Sequence, residues 1–185
     1  MTPFTGVVLC GGESRRMGQD KAHLLVEGVA MARRVADALS EAGASEVWAV
    51  GGDPVALGRL GLAVVADDHP GGGPFPATIT ALGQSSEPVV VVLSCDLRRP
   101  SPAAVRTLVA ALDAAGPDVL VAVPVVGGHR QWTHAAWRTR ARPALEAAFA
   151  AGVRSLKRGT EEVPLLEVHS LDPAQVADAD TPDDL

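Results

Sequence analysis

The sequence predicts an α/β protein with a mainly parallel central sheet, and three observations carry that expectation. Short valine-rich runs alternate with stretches of helical periodicity along the chain. One run, Val89 to Leu93, has five consecutive apolar residues, the pattern of a strand covered on both faces. Hydrophobic residues make up 47% of the chain but aromatics only 3%, so Val, Leu and Ala must build the core, which suits helices packed on a sheet.

Taken in order, Val7 to Cys10 reads as a buried strand ending at Gly11-Gly12. After a glycine-containing loop, His23 to Glu27 is expected to be extended and Gly28 to end it. Val29 to Ala42 carries apolar residues at positions 29, 32, 35, 36 and 39, the spacing of a helix, which Gly43 should stop. Glu46 to Val50 is the second strand, Pro54 opens a short helix, and Leu62 to Ala66 is the third strand. His69 to Pro76 holds three glycines and three prolines in eight positions and reads as a loop, followed by a helix over 77–85. Glu87 to Ser94 is the central strand, and Ser101-Pro102 begins a helix to about Ala115. Asp118 to Val123 and Gln131 to Trp137 are further strands, and Pro143 to Ala151 is a helix. Leu165 to Val168 and Leu171 to Val176 read as short edge elements. With no internal repeat and no linker, residues 1–185 are expected to form one domain.

The formal net charge of −6 argues against a general nucleic-acid binder, and the basic residues gather in a few loops, as a small-anion site requires. No stretch reaches the ~20 apolar residues of a membrane span, and the N-terminus lacks the features of a secretory signal. Two cysteines, Cys10 and Cys95, are too few for a disulfide framework and read as buried thiols in a reducing, cytoplasmic setting. Trp48, Trp132 and Trp137 read as core or interface residues.

The most informative stretch runs from Val7 to Ala22. Gly11 and Gly12 can turn sharply and bare their N–H groups, and Arg15, Arg16 and Lys21 supply cations beside a strand end. Donor geometry and charge together suit a polyphosphate. The spacing is neither that of a Walker A loop nor that of the dinucleotide fingerprint. It resembles the signature of the MobA-like nucleotidyltransferases, roughly Leu-Ala-Gly-Gly-x-Ser-x-Arg-Met-Gly-x-Asp-Lys. That resemblance implies a three-layer, Rossmann-like fold of the nucleotide-diphospho-sugar-transferase type.

Asp96 follows the central strand, where a carboxylate needs compensation from a hard cation or serves as a helix cap. Cys95-Asp96 resembles the family's Cys-Asp-x-Pro element, whose Asp holds magnesium, with Arg98 here in the place of Pro. Asp67 and Gly73-Pro74 resemble the family's base pocket, an Asp followed by Gly-Pro-Leu-Ala-Gly. Phe75, Pro76 and Ala77 replace the last three residues, and Asp67 could equally be a solvated loop acid. Asp178-Ala179-Asp180-Thr181-Pro182 resembles the family's closing Asn-Ile-Asn-Thr-Pro or Asp-Ile-Asp-Thr-Pro; with Asp180 in place of Asn the site would gain a second anionic metal ligand, and an acidic tail is the competing reading. Arg98, Arg99, Arg130 and Asp180 are the residues expected toward the acceptor, although Arg130 alone would more simply be part of a solvated face.

Together these features point to Mg²⁺-dependent nucleotidyl transfer: an acceptor phosphate attacks the α-phosphorus of an NTP and pyrophosphate leaves, with no protein nucleophile. Arg16, Lys21 and Asp96 are the expected catalytic residues. Leu9, Cys10, Gly11, Gly12, Arg15, Lys21, Asp67, Gly73, Pro74 and Asp96 are expected to bind the nucleotide. The resemblance implies GTP as donor and molybdopterin as acceptor, with a molybdoenzyme or chaperone receiving the product. CTP, a sugar-phosphate acceptor or a non-catalytic nucleotide-binding module are the alternatives.

Overall fold

Strand β1 (Phe4–Leu9) is buried along its whole length and lies between two parallel neighbours in a computed structural model that describes residues 1–11 and 20–179. The remaining strands are β2 (Leu25–Val26), β3 (Val29–Ala30), β4 (Glu46–Val50), β5 (Ala63–Val65), β6 (Val89–Ser94), β7 (Val121–Val126), β8 (His129–Arg130), β9 (His134–Arg138) and β10 (Leu165–Val168). The helices are α1 (Met31–Ala42), α2 (Pro54–Arg59), α3 (Pro74–Gln84), α4 (Pro102–Ala114), α5 (Arg142–Ala150) and α6 (Leu156–Gly159).

The main sheet has the order β10-β7-β9-β6-β1-β4-β5, with β8 folded back on β7. β4, β5 and β6 run parallel to the chain direction of β1, and β10 runs parallel to β7. β9 is antiparallel to both β6 and β7, so the sheet is mainly parallel with one reversed strand inside it. Alternation along the strands divides the core. Phe4, Val8 and Val91 pack with α1 and α4 residues such as Leu39 and Leu108, whereas Val7, Val92 and Trp137 pack with Phe75 of α3 and Leu145 of α5. The result is the expected helix–sheet–helix arrangement of three layers.

Local chemistry sets the element ends. Gly43 takes φ 101° and its N–H closes α1 on the carbonyls of Leu39 and Ser40. Asp53 caps α2 through the N–H groups of Val55 and Ala56, and the Ser101 hydroxyl accepts from Ala104 at the start of α4.

Several expectations are corrected. Val29 and Ala30 pair with β2 rather than opening α1, and residues 21–23 form a single 3₁₀ turn, started by the Asp20 side chain accepting from the Ala22 N–H at 3.0 Å. The 69–76 stretch is not all loop: α3 begins at Pro74. Its first turn needs no intrahelical N–H, so Pro74 and Pro76 cost it little. The later strands lie at Val121–Val126 and His134–Arg138, a few residues C-terminal to their expected starts. Residues 171–176 form no edge strand; Asp172 and Gln175 close a capping box around a 3₁₀ turn at Pro173–Gln175.

α1 approaches β1 most closely at Gly6, where a Cβ would stand 2.9 Å from Leu39 Cβ and 3.2 Å from Val47 Cγ2. Leu39 Cβ is fixed by its helix and cannot swing away. Gly6→Ala is therefore expected to destabilise the chain by about 1–3 kcal/mol, read from the urea midpoint at unchanged m-value.

Candidate active site

A cleft of about 230 Å³ opens at the carboxyl ends of β1 and β6, the position where parallel sheets present their loops to ligands. Leu9, Cys10, Gly11, Lys21, Pro74 and Asp96 all line it. Lys21 reaches it from the 3₁₀ turn after the glycine loop, and its Nζ donates to Asp96 Oδ2 at 2.7 Å. The two side chains are 17% and 15% exposed, so the pair sits largely out of water. The Ser94 hydroxyl donates to the other carboxylate oxygen of Asp96. The compensation that a carboxylate at this depth demands thus comes from a lysine and a serine of the same cleft.

Among the described residues, no three His, Cys, Asp or Glu side chains converge as a metal centre. Asp96 could hold a divalent cation as one hard oxygen donor in the wall of the cleft. Asp180, the second expected ligand, lies outside the described residues, as do Gly12, Arg15 and Arg16.

The C-terminal segment is stitched to the Asp96 loop. The N–H of Ala179 donates to the Asp96 carbonyl at 2.8 Å, the N–H of Arg98 donates to the Ala177 carbonyl at 3.0 Å, and Leu97 bridges Asp178. Arg98 stands where the family pattern has Pro, and only a non-proline residue has the N–H for that second bond. His134, 1% exposed on β9, brings Nε2 to 3.0 Å from Asp178 Oδ1. This histidine was not among the expected site residues. It is a lone imidazole in a short apolar run, 44 positions from its partner, and no spacing rule joins the two.

A second cleft of about 490 Å³ shares Gly11 with the first and is lined by Gly51, Gly52, Val65, Asp67 and Gly71. Asp67 Oδ1 accepts from the His69 N–H at 2.9 Å and, at 3.5 Å, from the Thr80 hydroxyl, which fixes its carboxylate at this cleft's edge. Gly73, at φ 80°, turns the chain into α3. Phe75 is fully buried and meets Phe149 edge-on at 5.7 Å.

The remaining basic residues are divided between other surfaces. Arg98 and Arg99 line a recess of about 240 Å³ together with Ala174 and Ala177 of the C-terminal segment. Arg130 lies in a separate concavity with Trp132 and Lys157, 5.7 Å over the Trp132 ring and 2.7 Å from Glu167 Oε1. The hydrogen bond from Arg130 holds the Glu167 carboxyl below the usual carboxylate range. Both cysteines are buried as expected, but they meet: hydrogen bonding to the Cys10 thiol, followed by burial, pushes the Cys95 thiol well above the ordinary cysteine range. No helix among the described residues is long and apolar enough to cross a membrane.

The molecule thus joins a mainly parallel three-layer fold to a lysine–aspartate pair in the cleft at the ends of β1 and β6. The fold matches the crystal structure of molybdopterin-guanine dinucleotide biosynthesis protein A from Archaeoglobus fulgidus with a TM-score of 0.80, over 97% of this chain and 94% of that one, at 21% identity. Residues 6–164 match the MobA-like NTP transferase domain, and the chain belongs to that family of enzymes. It is 42% identical over 131 residues to a protein of Pelotomaculum thermopropionicum named "Probable molybdenum cofactor guanylyltransferase", a match spanning 71% of this chain and 62% of that protein. A protein of the same name from Chloroflexus aggregans is 31% identical over 98% of this chain and 91% of its own length.

Removing the imidazole should release the C-terminal segment. His134→Ala is expected to speed amide exchange at Ala179 at least tenfold, measured by hydrogen–deuterium exchange, while β1 and β6 keep their protection.

Proposed function

We propose that the chain transfers GMP from GTP to the terminal phosphate of molybdopterin, with Mg²⁺, giving molybdopterin guanine dinucleotide and pyrophosphate. The observation that carries this reading is the 2.7 Å contact of Lys21 with Asp96 in a cleft that also exposes Gly11. The names of the relatives supply the base and the acceptor.

In this reading Lys21, with Arg15 and Arg16, draws the triphosphate onto the bare backbone of Gly11 and Gly12. Leu9 and Cys10 frame that turn, and Pro74 closes the cleft from the start of α3. Asp96, with Asp180, would hold Mg²⁺, which would supply charge neutralisation for the departing pyrophosphate. Asp67 holds the base in the neighbouring cleft, and Gly73 acts only by turning the chain into α3. Arg98 and Arg99, in the recess beside the Asp96 loop, would meet the acceptor, whereas Arg130 is engaged by Glu167 and Trp132 in a separate concavity and has no part in this reading. The acceptor phosphate is already ionised at neutral pH, so the chain needs no general base. Its work is alignment of the two phosphates and electrostatic stabilisation of the transition state. The product passes to a molybdoenzyme or a chaperone.

The test is pyrophosphate release with each of the four NTPs in turn, with and without molybdopterin. GTP should be the productive donor, and only in the presence of the acceptor. Turnover with CTP instead would assign a different base, and binding without release would make the protein a non-catalytic module. Lys21→Ala and Asp96→Ala should each lower kcat about 10²–10⁴-fold while leaving the far-UV circular dichroism unchanged. Near-wild-type turnover in either variant removes that residue from the catalytic set.

Chelation gives a separate check. EDTA in excess should abolish turnover, and Mg²⁺ added beyond the chelator should restore it; activity that survives EDTA contradicts the metal assignment.

A further inference from the structure

We propose that Cys10 and Cys95 form a dithiol that a small peroxide oxidises to an intramolecular disulfide, a modification site in the wall of the phosphate cleft. Its effect on nucleotide binding rests on the function proposed above, whereas its chemistry does not.

The two cysteines are 85 positions apart in sequence and adjacent in the sheet. Leu9 and Ser94 are register partners in the parallel pair β1–β6, and Cys10 and Cys95 are the next residue on each chain. The Cys95 N–H continues the ladder by donating to the Leu9 carbonyl at 3.1 Å, while Cys10 is held on its other side by the Val50 carbonyl at 2.9 Å. Both side chains fall on the same face, in the core group that contains Val8 and Leu93. Neighbouring strands run about 4.8 Å apart, inside the window of roughly 4.4–6.8 Å between Cα atoms that a disulfide accepts. Both cysteines also line the open cleft, which gives a molecule as small as a peroxide a path to sulfurs that are otherwise buried.

The chemistry balances with hydrogen peroxide as the named oxidant. The Cys10 thiol, losing its proton, attacks a peroxide oxygen; the O–O bond breaks, a sulfenic acid forms and one water leaves. The second thiol then attacks the sulfenic sulfur, forming the S–S bond and releasing a second water. Two thiols are oxidised and one peroxide is reduced to two waters.

The bond has a consequence because of what lies beside it. Gly11 follows Cys10 and Asp96 follows Cys95, so the side-chain rotations that bring the two sulfurs to about 2.05 Å act next to both walls of the site. Lys21 then loses the position of its carboxylate partner.

The experiment treats the reduced full chain with hydrogen peroxide, alkylates it with iodoacetamide and maps the peptides by mass. GTP affinity is measured by calorimetry before treatment, after it, and after dithiothreitol. The expected result is a linkage between positions 10 and 95 that is lighter by two hydrogens. GTP binding should be at least tenfold weaker and should recover with dithiothreitol. Cys95→Ala, compared with its own untreated state, should show neither linkage nor a dithiothreitol-reversible loss. Free alkylation of both cysteines after peroxide overturns the proposal, as does linkage between separate chains, a linked chain that binds GTP as the reduced one does, or a reversible loss in Cys95→Ala. A reduced, untreated chain that fails to bind GTP overturns the nucleotide reading instead, and the peptide masses then decide the disulfide by themselves.

Discussion

The parallel register of β1 with β6 is the constraint from which the site follows. It sets Leu9 opposite Ser94 and so brings Gly11 and Asp96 to the same edge of the sheet. Neither strand end could supply the site alone. The β1 end offers backbone donors and leads to Lys21, while the β6 end offers a carboxylate oriented by Ser94. Because Lys21 and Asp96 are both mostly shielded from water, each makes the position of the other tolerable. Removing one leaves an under-solvated charge, which costs more than losing a surface pair.

A second layer of contacts fixes Asp96 from behind. Its carbonyl accepts from Ala179, and the neighbouring residues Leu97 and Arg98 are bound to the C-terminal segment by a bridge and a hydrogen bond. His134 anchors that segment through Asp178 from β9, the one strand that runs against β6. The reversed strand therefore has a use in the architecture. Its N-terminal end, not its C-terminal end, reaches the ligand edge of the sheet, and Thr133 and His134 stand there.

Much of this was legible in the residues. The strands near β1, β4 and β6 are apolar runs bounded by glycine or acidic residues, and hydrophobic periodicity finds such runs without help from tertiary contacts. The stops at Gly43 and the start at Ser101-Pro102 are local chemistry and were equally readable. The direction of β9 was not, because a two-residue period reads the same in either orientation. The start of α3 at Pro74 was hidden by the glycine and proline density before it, where composition signals a loop but one proline is tolerated as the first residue of a helix. The pairing of His134 with Asp178 and of Cys10 with Cys95 depends on sheet order, which no local window contains. Lys21 and Asp96 were singled out separately, each for its own motif; what was missing was the register that joins them.

Several departures from the family's sequence patterns acquire physical reasons once that register is known. Phe75, where the pattern has Leu, is a core residue: its ring lies over Gly159 so closely that a Cβ there would stand 2.2 Å from it, and Phe149 meets it edge-on. The larger side chain and the missing Cβ opposite it are complementary, as close packing requires. Pro76 falls in the first turn of α3, where its absent N–H forfeits no helical bond. Arg98 replaces a proline and thereby gains the donor that Ala177 uses. Phe75 is thus answered by packing, Arg98 by a backbone hydrogen bond and Pro76 by its place in the first helical turn, while nothing in the structure explains Ala77. The lining itself varies, since Cys10 and Ala77 stand in the cleft wall where the patterns have Ala and Gly, but Gly11, Lys21 and Asp96 are kept, which is the pattern expected when charge placement constrains a site more tightly than the means of holding it.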